Sequence, residues 1–314
     1  MWHQKEECCL IMLKDIKNII KKNQFLYNIS LDILFIVRKV QIKYFYVETL
    51  KKDFEKNMGY SLDLLNPQTF NEKIQWLKVY YRDPIMTKCA DKVAVRDIIA
   101  REIGKDYLID VYGVYDSVDE IDISKLPNQF VLKPNHSSGR VIICKDKEAE
   151  NWKENFKLLK KWMKENYYYQ NGEWVYRDIE AKIICEKLLD EDIIDYKFFC
   201  FNGKPKFFYV AQGSAKNPKY FVDFLNVDGT EVEFSRKDHP RFDVLPSCPK
   251  NLDEMLYLAR KLSEKFPFVR VDFYEIDEKI FFSELTFFPG NGMIPYNPIE
   301  WDRKLGDMLD LSNI

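Results

Sequence analysis

Glycine and histidine are scarce in this 314-residue chain, which contains 11 glycines and three histidines. No histidine lies near a nucleophile motif or in a zinc-binding spacing, so Ser-His-Asp catalysis and a zinc site are not supported. The seven cysteines are odd in number and unpaired in spacing, which favours reduced thiols and a cytoplasmic location. Because glycines are few, each one that occurs is informative about a turn or a close backbone approach.

Strong net charge and long apolar runs are also absent. The 48 basic and 50 acidic residues leave a formal charge of -2, so a broad basic surface for nucleic acid is not expected. The longest apolar segment, residues 25–40, is interrupted by Asn28, Asp32 and Arg38 and is too polar to span a bilayer. Its helical pattern predicts either a helix packed on its own domain or, over residues 10–45, peripheral contact with the inner face of a membrane.

Hydrophobic residues make up 46% of the chain, which is enough for two or three packed units. Thr69, with Glu72 three residues later, predicts a capped helix start, and a second helix is expected over residues 91–101. From Tyr107 onward, short β-branched and aromatic runs predict an α+β region with mainly antiparallel sheets. We therefore predict an N-terminal helical segment, a helical lead-in with a small α/β portion, a first lobe and a second lobe, at residues 1–60, 61–125, 126–188 and 189–314.

A hairpin is predicted in "DYKFFCFNGKPKFFYV", because Asn202-Gly203 suits a two-residue turn of type I′. Strand alternation then places Asp195 and Lys197 on the same face of the first strand. An acid and a base would therefore project together from an otherwise hydrophobic strand.

A second hairpin, "VRVDFYEIDEKIFFSELTF", also collects its polar side chains on one face. With a three-residue loop at 277–279, strand pairing predicts four facing pairs: Ile276 with Ile280, Tyr274 with Phe282, Asp272 with Glu284, and Arg270 with Thr286. The opposite face is apolar and suits packing on a helix; its predicted members are Val269, Val271, Phe273, Phe281, Leu285 and Phe287.

The facing carboxylates of Asp272 and Glu284 are predicted to lie about 5 Å apart at Cβ, where like charges destabilise a sheet unless a cation or a proton intervenes. A divalent metal would remove this conflict. Mg²⁺ suits the position, because it commonly takes one or two protein carboxylates together with water and substrate phosphates. Two alternatives stay open: a register shifted by one residue, and a salt bridge from Arg270 to one of the acids.

The segment "FVLKPNHSSGR" places Lys133 at the end of an apolar strand and follows it with a polar loop, residues 135–139. Such loops offer hydroxyl and backbone N–H groups to phosphate oxygens. The signal is weak on its own, because a lysine after a strand is more often solvated and His136 is at least as consistent with a surface residue. The full P-loop pattern is missing.

Several motifs occur in one order along the chain. "DKVAVRDIIAREIG", "FVLKPNHSSGRVII", "IICEKLL" and "VDFY…FFSELTFFPG" together resemble the ATP-grasp superfamily. More narrowly, "NPQTFNEKIQWLK", "LPNQFVLKPNHSSG" and "DYKFFCFNGKPK" resemble the TupA-like ATP-grasp family, which is associated with bacterial surface polysaccharides. The resemblance covers residues 60–305 and implies an ATP-grasp fold, in which two antiparallel α+β lobes grip ATP.

The resemblance also implies roles for individual residues. It assigns nucleotide binding to Lys92, Lys133, Ser137, Ser138, Gly139, Glu186, Lys187, Leu189, Asp195 and Lys197. Among these, the loop residues would close over the phosphates, the stretch from Glu186 to Leu189 would meet the adenine edge, and Asp195 would hold the ribose. It assigns Mg²⁺ to Asp272, Glu284 and Thr286, and catalysis to Arg270 and Lys197 through stabilisation of phosphoryl charge.

Two positions depart from the superfamily pattern. Thr286 stands where an Asn commonly follows the second metal-binding Glu, and a neutral hydroxyl is a poorer metal ligand, which puts a second metal ion in doubt. Ser138 stands where a second glycine is expected, and it would stiffen the loop slightly.

The implied activity is carboxylate–amine ligation, in which ATP converts a carboxylate to an acyl phosphate and an amine displaces the phosphate. The substrates would be a small-molecule or glycan carboxylate and an amine, in capsule or cell-wall polysaccharide assembly. Two alternatives remain: an ATP-grasp kinase that phosphorylates a sugar or glycan, and a non-catalytic binding protein in glycan assembly.

Overall fold

The computed structural model describes residues 24–189, 193–213, 220–312 and 314. The α-helices within these residues are α1 (Gln24–Tyr44), α2 (Tyr46–Met58), α3 (Phe70–Tyr80), α4 (Pro84–Ala90), α5 (Val95–Glu102), α6 (Trp152–Trp162), α7 (Tyr168–Asn171), α8 (Leu252–Ser263) and α9 (Glu300–Met308). The strands are β1 (Val111–Tyr115), β2 (Phe130–Pro134), β3 (Ile142–Cys144), β4 (Ile183–Lys187), β5 (Ile194–Phe201), β6 (Lys204–Gln212), β7 (Phe221–Asn226), β8 (Ser235–Arg236), β9 (Phe268–Ile276), β10 (Lys279–Thr286) and β11 (Tyr296–Asn297).

Helix α1 belongs to a compact unit that ends at Thr49, and the chain from Leu50 onward forms a second unit. The first part of the predicted membrane-contact segment, residues 10–23, lies outside the described residues. The described part of α1 exposes a group of apolar side chains, which includes Ile33, Leu34, Ile36, Val37 and Val40. No helix among the described residues is long and apolar enough to cross a membrane.

Two antiparallel sheets form the framework of the second unit. The first has the strand order β1-β4-β2-β3, and the second has the order β10-β9-β5-β6-β7. Strand β1 lies before residue 126, where the sequence predicted the first lobe to begin, and it pairs with β4 in the first sheet. A short third pairing joins β8 to β11. The prediction of an α+β fold built on antiparallel sheets is confirmed.

Each of the two larger sheets packs one face on a helix. In the first sheet, Phe130 and Leu132 alternate inward along β2 and join Leu159 and Trp162 of α6 in one apolar cluster. The second sheet carries a larger core rich in phenylalanine, which α8 covers through Met255, Leu258, Ala259 and Leu262. The packed faces leave the opposite faces of the strands available for polar side chains.

The two hairpins differ in how well the sequence predicted them. The β5–β6 turn is the predicted one, with positive φ at Asn202 (45°) and Gly203 (76°), as a type I′ turn requires. The β9–β10 loop has two residues instead of three, because Asp277 (49°) and Glu278 (61°) also adopt the left-handed conformation. Lys279 therefore belongs to strand β10 and pairs with Ile276.

The shorter loop changes the pairing near the turn but not at the polar residues. The predicted pairs Ile276 with Ile280 and Tyr274 with Phe282 are wrong; the observed pairs are Ile276 with Lys279, Tyr274 with Phe281, and Phe273 with Phe282. A bulge between Phe282 and Glu284 then inserts one residue into β10, and it restores the pairs Asp272 with Glu284 and Arg270 with Thr286. Phe282, rather than the predicted Phe281, therefore shares the apolar face with Phe273.

Helix boundaries near the site follow local capping. Thr69 and Glu72 form the predicted capping box at the start of α3. The helix predicted over 91–101 begins later, at Val95, because the Asp91 carboxylate accepts the backbone N–H of Val93 and holds residues 91–94 in a turn. This turn brings the neighbouring Lys92 to the end of the first sheet.

The start of α3 is in close contact with α9. A Cβ atom added at Gly306 would lie 2.1 Å from the carbonyl oxygen of Gln68 and 2.8 Å from the carbonyl carbon of Thr69. Both atoms are backbone, so no side-chain rotation can relieve the overlap. Glycine at 306 therefore permits the close approach of the two helices.

Gly306→Ala should destabilise the protein by about 1–3 kcal/mol, because α9 must move away from α3 to admit the methyl group. Urea unfolding of the full chain measures this change. Gly59→Ala is a useful comparison, since nothing lies within 4 Å of the added Cβ there and only the positive φ of 80° opposes it. Equal stability of Gly306→Ala and wild type would show that the contact is not tight.

Candidate nucleotide and metal site

A row of polar side chains crosses four adjacent strands of the second sheet. Strand register pairs Tyr209 of β6 with Lys197 of β5, Lys197 with Asp272 of β9, and Asp272 with Glu284 of β10. We call these four residues the polar row. Successive residues of a strand point to opposite faces, so residues paired in one row share a face of the sheet. The structure thus brings together the acids and the base that the two hairpin sequences predicted.

Asp272 is the centre of the row and is fully buried. Its Oδ1 accepts a hydrogen bond from Arg270 Nε at 2.7 Å, and its Oδ2 accepts from Arg270 Nη2 at 2.6 Å and from Lys197 Nζ at 2.7 Å. Arg270 also donates to the Tyr209 hydroxyl at 3.2 Å. A buried carboxylate is tolerated only when it is paired in this way, and here Arg270 and Lys197 together occupy both oxygens of Asp272.

Lys197 lies between two acids. Its Nζ is 3.2 Å from Asp195 Oδ1 as well as 2.7 Å from Asp272 Oδ2. Although burial disfavours its charge, Asp195 and Asp272 raise the pKa of Lys197 well above its usual value. Burial raises the pKa of Asp195. Asp195, to which the resemblance assigns ribose binding, therefore lies within the same ion cluster as the polar row.

Glu284 is the most accessible acid of the polar row, with 34% of its side chain exposed. Its Oε1 accepts hydrogen bonds from Arg270 Nη2 at 3.0 Å and from the Thr286 hydroxyl at 3.2 Å. Burial alone would raise the pKa of Glu284, but Lys197, Arg270 and Lys92 outweigh it and lower the pKa to about 2. Glu284 is therefore ionised throughout the neutral range.

The repulsion that we expected between Asp272 and Glu284 is compensated by protein side chains. Arg270 Nη2 contacts both carboxylates, at 2.6 Å and 3.0 Å, and it also donates to the Thr286 hydroxyl at 2.9 Å. The register-shift alternative is wrong, because Asp272 does face Glu284. The salt-bridge alternative is correct and goes further than expected, since Arg270 bridges both acids rather than one.

The side chains at this position offer carboxylate and hydroxyl oxygens, which are the ligand type that Mg²⁺ prefers. Glu284 supplies an ionised and partly exposed carboxylate, and Thr286 supplies a hydroxyl beside it. Asp272 can serve as a ligand only by giving up a hydrogen bond to Arg270 or Lys197, because both of its oxygens are in use. Among the residues that the structure describes, no group of three His, Cys, Asp or Glu side chains could hold a metal.

The first sheet supplies a second set of charged groups. Lys133 Nζ lies 2.5 Å from one carboxylate oxygen of Glu186, and Arg96 Nη1 lies 3.8 Å from the other. Lys133 comes from β2 and Glu186 from its neighbour β4, so antiparallel pairing places both on the same face. Glu186 is nearly buried, and Lys133 is one-fifth exposed at its side chain. Lys133 can therefore reach a ligand while Glu186 holds its position.

Lys92 and Asn135 connect the turn at residue 91 to the first sheet. Lys92 Nζ donates to the carbonyl oxygen of Ser137 at 2.5 Å, and its backbone N–H donates to Asn135 O at 3.2 Å. The fully buried Asn135 amide donates to Asp91 Oδ1 at 2.8 Å, and its oxygen accepts from Lys182 N at 2.7 Å. Asn135 thus fixes Lys92 beside the polar loop.

Three residues of the polar loop after β2 are predicted to contact phosphate, and one of them is buried while two are exposed. Ser138 and Gly139 are exposed, and Gly139 has a φ of 68°. The hydroxyl oxygen of Ser137 is buried and has no hydrogen-bond partner among the described residues. A phosphate oxygen would satisfy such a hydroxyl, so the loop fits the phosphate-binding role that the resemblance assigns to it.

The predicted adenine-binding stretch, Glu186 to Leu189, begins near the end of β4. Lys187 is exposed and pairs with Phe130 in the register, and Leu189 is half-buried. Residues 190–192 lie outside the described residues. The adenine assignment therefore stays a prediction at these positions.

Sequence reasoning named Asn135 only as a member of the polar loop and missed that it is buried and anchors the turn at residue 91. It missed Tyr209 altogether. Tyr209 could have been found by extending the strand register from Lys197 across the Asn202-Gly203 turn.

Glu284→Gln should lower the melting temperature of the ligand-free protein, with a loss of about 1–3 kcal/mol, because hydrogen bonds between charged groups contribute this much. Folding lowers the pKa of Glu284 from 4.5 to about 2, so its stabilisation is present above about pH 4.5 and disappears as the pH falls towards 2. Thermal unfolding across this pH range measures both effects. Glu278→Gln, in the exposed hairpin turn, should change both far less, because its ion pair with Lys250 is open to solvent. A Glu284→Gln protein as stable as wild type would contradict the pairing with Arg270.

Comparison with known proteins identifies a matching protein family. A scan against protein-family models matches residues 72–310 to TupA-like ATPgrasp. A search of curated proteins finds no match.

Among solved structures, the D-alanine–D-alanine ligase of Bacillus anthracis complexed with ATP is 17% identical, with 63% of this chain and 55% of that chain covered and a TM-score of 0.38. The Helicobacter pylori D-alanine–D-alanine ligase is 16% identical, with 78% and 70% covered and a TM-score of 0.41. The L-amino acid ligase of Bacillus licheniformis is 12% identical, with 71% and 49% covered and a TM-score of 0.41.

The chain spans little more than half of the length of the Bacillus anthracis ligase that it matches. The family match, in contrast, covers most of this chain and includes every site residue predicted above. Its range begins within helix α3 and ends just after α9, so it takes in both sheets and the polar row. The chain therefore belongs to the TupA-like ATP-grasp family.

Proposed function

We propose that the protein is an ATP-dependent carboxylate–amine ligase that acts in the cytoplasm on a carboxylate of bacterial surface polysaccharide, such as capsule or cell wall. The observation that carries the proposal is the convergence of charge from the two sheets. Lys92, fixed beside the first sheet, and Glu284, on the second, each alter the other's pKa, so they lie within electrostatic reach. The electrostatic coupling of Lys92, a proposed phosphate contact, with Glu284, a proposed metal ligand, supports one shared site.

The chemistry explains why such a site suits ligation. A carboxylate is a poor electrophile, because its leaving group would be oxide. Transfer of a phosphoryl group from ATP to the carboxylate supplies phosphate as the leaving group, and an amine then forms the amide. The protein contributes position and charge stabilisation rather than covalent steps of its own.

The described residues divide these tasks. Lys92 and Lys133 would bind phosphate oxygens from the side of the first sheet, and the unpartnered hydroxyl of Ser137 would donate to those oxygens. Arg270, which lies beside Glu284, would stabilise negative charge on the phosphoryl group. Mg²⁺, held by Glu284 with Asp272 and Thr286, would neutralise phosphate charge when bound.

The ligase proposal predicts that ATP cleavage needs a carboxylate and that the product can be trapped. Full-length protein with ATP and Mg²⁺ is incubated with D-glucuronate or D-galacturonate, with and without hydroxylamine. Formation of ADP and a uronic hydroxamate in equal amounts, detected by mass spectrometry, is the expected result. Glu284→Gln serves as the low-activity control.

Two other outcomes would count against the ligase. A phosphorylated sugar that accumulates and resists hydroxylamine would indicate the kinase alternative. ATP binding without turnover under any of these conditions would favour the non-catalytic binding protein. The comparison with and without hydroxylamine distinguishes a kinase from a ligase. Nucleotide calorimetry identifies a protein that binds ATP without turnover.

Lys133→Ala should weaken ATP binding about ten- to a hundredfold, because a charged phosphate contact contributes roughly 1.5–3 kcal/mol. Isothermal calorimetry on the folded variant measures the affinity. Lys182→Ala is the matched control: this lysine directly precedes β4 of the same sheet but pairs with Asp116 at the surface. If both variants bind ATP as wild type does, Lys133 has no nucleotide contact. Lys197→Ala is less informative, since it would leave Asp195 and Asp272 without their shared cation.

A further inference from the structure

An arginine outside the predicted site lies beside the polar row. Arg236 belongs to the short strand β8, where it pairs with Tyr296 of β11. Two residues earlier, the Phe234 ring packs against Tyr296, with centroids 5.7 Å apart, and against Trp301 of α9, with centroids 4.6 Å apart. The backbone that carries Arg236 is therefore anchored in the core of the second unit.

Two arginines border the ring of Tyr209, which is one end of the polar row. The guanidinium carbon of Arg270 lies 5.7 Å from the centroid of this ring, and that of Arg236 lies 6.0 Å from it. Both distances are within the range of a cation–π contact. Arg270 also donates to the Tyr209 hydroxyl at 3.2 Å. Arg236 therefore adjoins the site through a side chain that the site already contains.

Arg236 contacts the end of the polar row that lies furthest from Glu284. The row crosses β10, β9, β5 and β6 in that order, from Glu284 to Tyr209. Neighbouring strands are about 4.8 Å apart, so the two ends of the row are separated by roughly 14 Å at the backbone. In the proposed site, Mg²⁺ belongs to the Glu284 end, which leaves the Arg236 end for a different part of the substrates.

Asp238 occupies one edge of the Arg236 guanidinium. Arg236 Nε donates to Asp238 Oδ1 at 2.7 Å, and Arg236 Nη2 donates to Asp238 Oδ2 at 2.6 Å. A guanidinium has a second edge, formed by Nη1 and Nη2, that can donate in the same way. Nη1 forms no hydrogen bond with any residue that the structure describes, although only 9% of the Arg236 side chain is exposed. The second edge is thus held in a fixed orientation with donors available.

Solvent reaches the pair formed by Arg236 and Asp238. The Asp238 side chain is 38% exposed, and the side chain of its neighbour His239 is 21% exposed. Because Asp238 is bonded directly to Arg236, a molecule from solution can come close to the guanidinium group there. Burial and Arg236 lower the pKa of His239, so its imidazole is mostly uncharged at neutral pH. The approach to Arg236 thus carries a neutral imidazole and an acid that is already paired.

The available edge of Arg236 matches a carboxylate in shape. Two parallel N–H groups of a guanidinium fit the two oxygens of a carboxylate, as the Asp238 pair shows on the other edge. A lysine would offer a point charge without this fork. Phosphate also accepts the fork, but the proposed phosphate contacts, Lys92 and Lys133, lie beside the first sheet, whereas Arg236 borders the second. A substrate carboxylate is therefore the ligand that this edge fits.

We propose that the Nη1–Nη2 edge of Arg236 binds a carboxylate of a substrate, which makes Arg236 a specificity-determining residue of the ligase. The inference rests on the proposed ligase function. Two substrates are sources of such a carboxylate: the uronic acid itself, and an amine substrate that is an amino acid. Asp238 positions the guanidinium group, and the shared Tyr209 ring sets its distance from Arg270.

Arg236→Lys tests the proposal, because it keeps the positive charge and removes the fork. Full-length protein loaded with adenylyl imidodiphosphate and Mg²⁺ is titrated with D-glucuronate and, separately, with glycine in a calorimeter. The affinity for one of the two should fall about ten- to a hundredfold in the variant. A loss for D-glucuronate would identify the uronic acid as the source of the carboxylate, and a loss for glycine would identify the amine substrate. D-Glucose and ethanolamine, which lack the carboxylate, should bind wild type and variant alike.

Further measurements separate a lost ligand contact from a disturbed fold. Arg236→Lys should unfold cooperatively close to the wild-type melting temperature and bind adenylyl imidodiphosphate as wild type does. Arg236→Gln, which keeps an N–H donor for Asp238 but no charge, should weaken binding of the same carboxylate at least as much. Arg303→Lys is the matched control, because Arg303 pairs with Asp307 on the exposed side of α9, and it should bind both carboxylates as wild type does.

Each contrary result has a separate meaning. Equal affinities of wild type and both Arg236 variants for D-glucuronate and for glycine would overturn the role of Arg236, as would a wild type that binds neither. A loss of nucleotide affinity in place of carboxylate affinity would assign the edge to a phosphate, which also overturns it. The ligase proposal is tested separately by hydroxamate formation, so its failure is distinguishable from the failure of carboxylate binding at Arg236.

Discussion

The buried carboxylate of Asp272 is the constraint on which the site depends. A charge without solvent access is tolerated only if cations and hydrogen bonds replace the lost water, and Asp272 receives three such bonds from Arg270 and Lys197. These bonds require β5 and β9 to keep one register and one facing direction, since a slip by one residue would move Lys197 to the apolar face. The ion cluster and the strand pairing therefore stabilise each other.

The rigidity of the polar row comes from the opposite face of the same sheet. The adjacent row pairs Phe208 with Phe198, Phe198 with Val271, and Val271 with Leu285, all of them buried under α8. The rings of Phe198 and Phe208 stack with centroids 4.9 Å apart. Close packing of this kind resists small displacements, so the charged atoms one residue away along each strand are held at fixed separations. The need for a packed apolar face explains why an acid such as Glu284 occurs within an aromatic sequence.

Local patterns in the sequence predicted the two antiparallel sheets, the capping box at Thr69 and the Asn202-Gly203 turn. They also predicted that Asp272 faces Glu284, but from an incorrect strand register. The assumed loop was one residue too long, and an unpredicted bulge before Glu284 compensated for this error. A bulge depends on packing across the sheet, and so local alternation cannot reveal it.

The charge balance of the cluster implies how nucleotide and metal binding depend on each other. Within the described part of the chain, Asp195, Asp272 and Glu284 share Lys197 and Arg270 as their close cations. Arg270 and Lys197 can donate to a phosphate only by weakening their bonds to Asp272, which would then carry uncompensated charge in a buried position. A divalent cation that arrives with the phosphates restores the balance, and the carboxylates released by the two bases are the hard oxygen ligands that such a cation prefers. Tight binding of phosphate without the cation would leave Asp272 unpaired, so this site should bind the nucleotide and the metal with positive coupling.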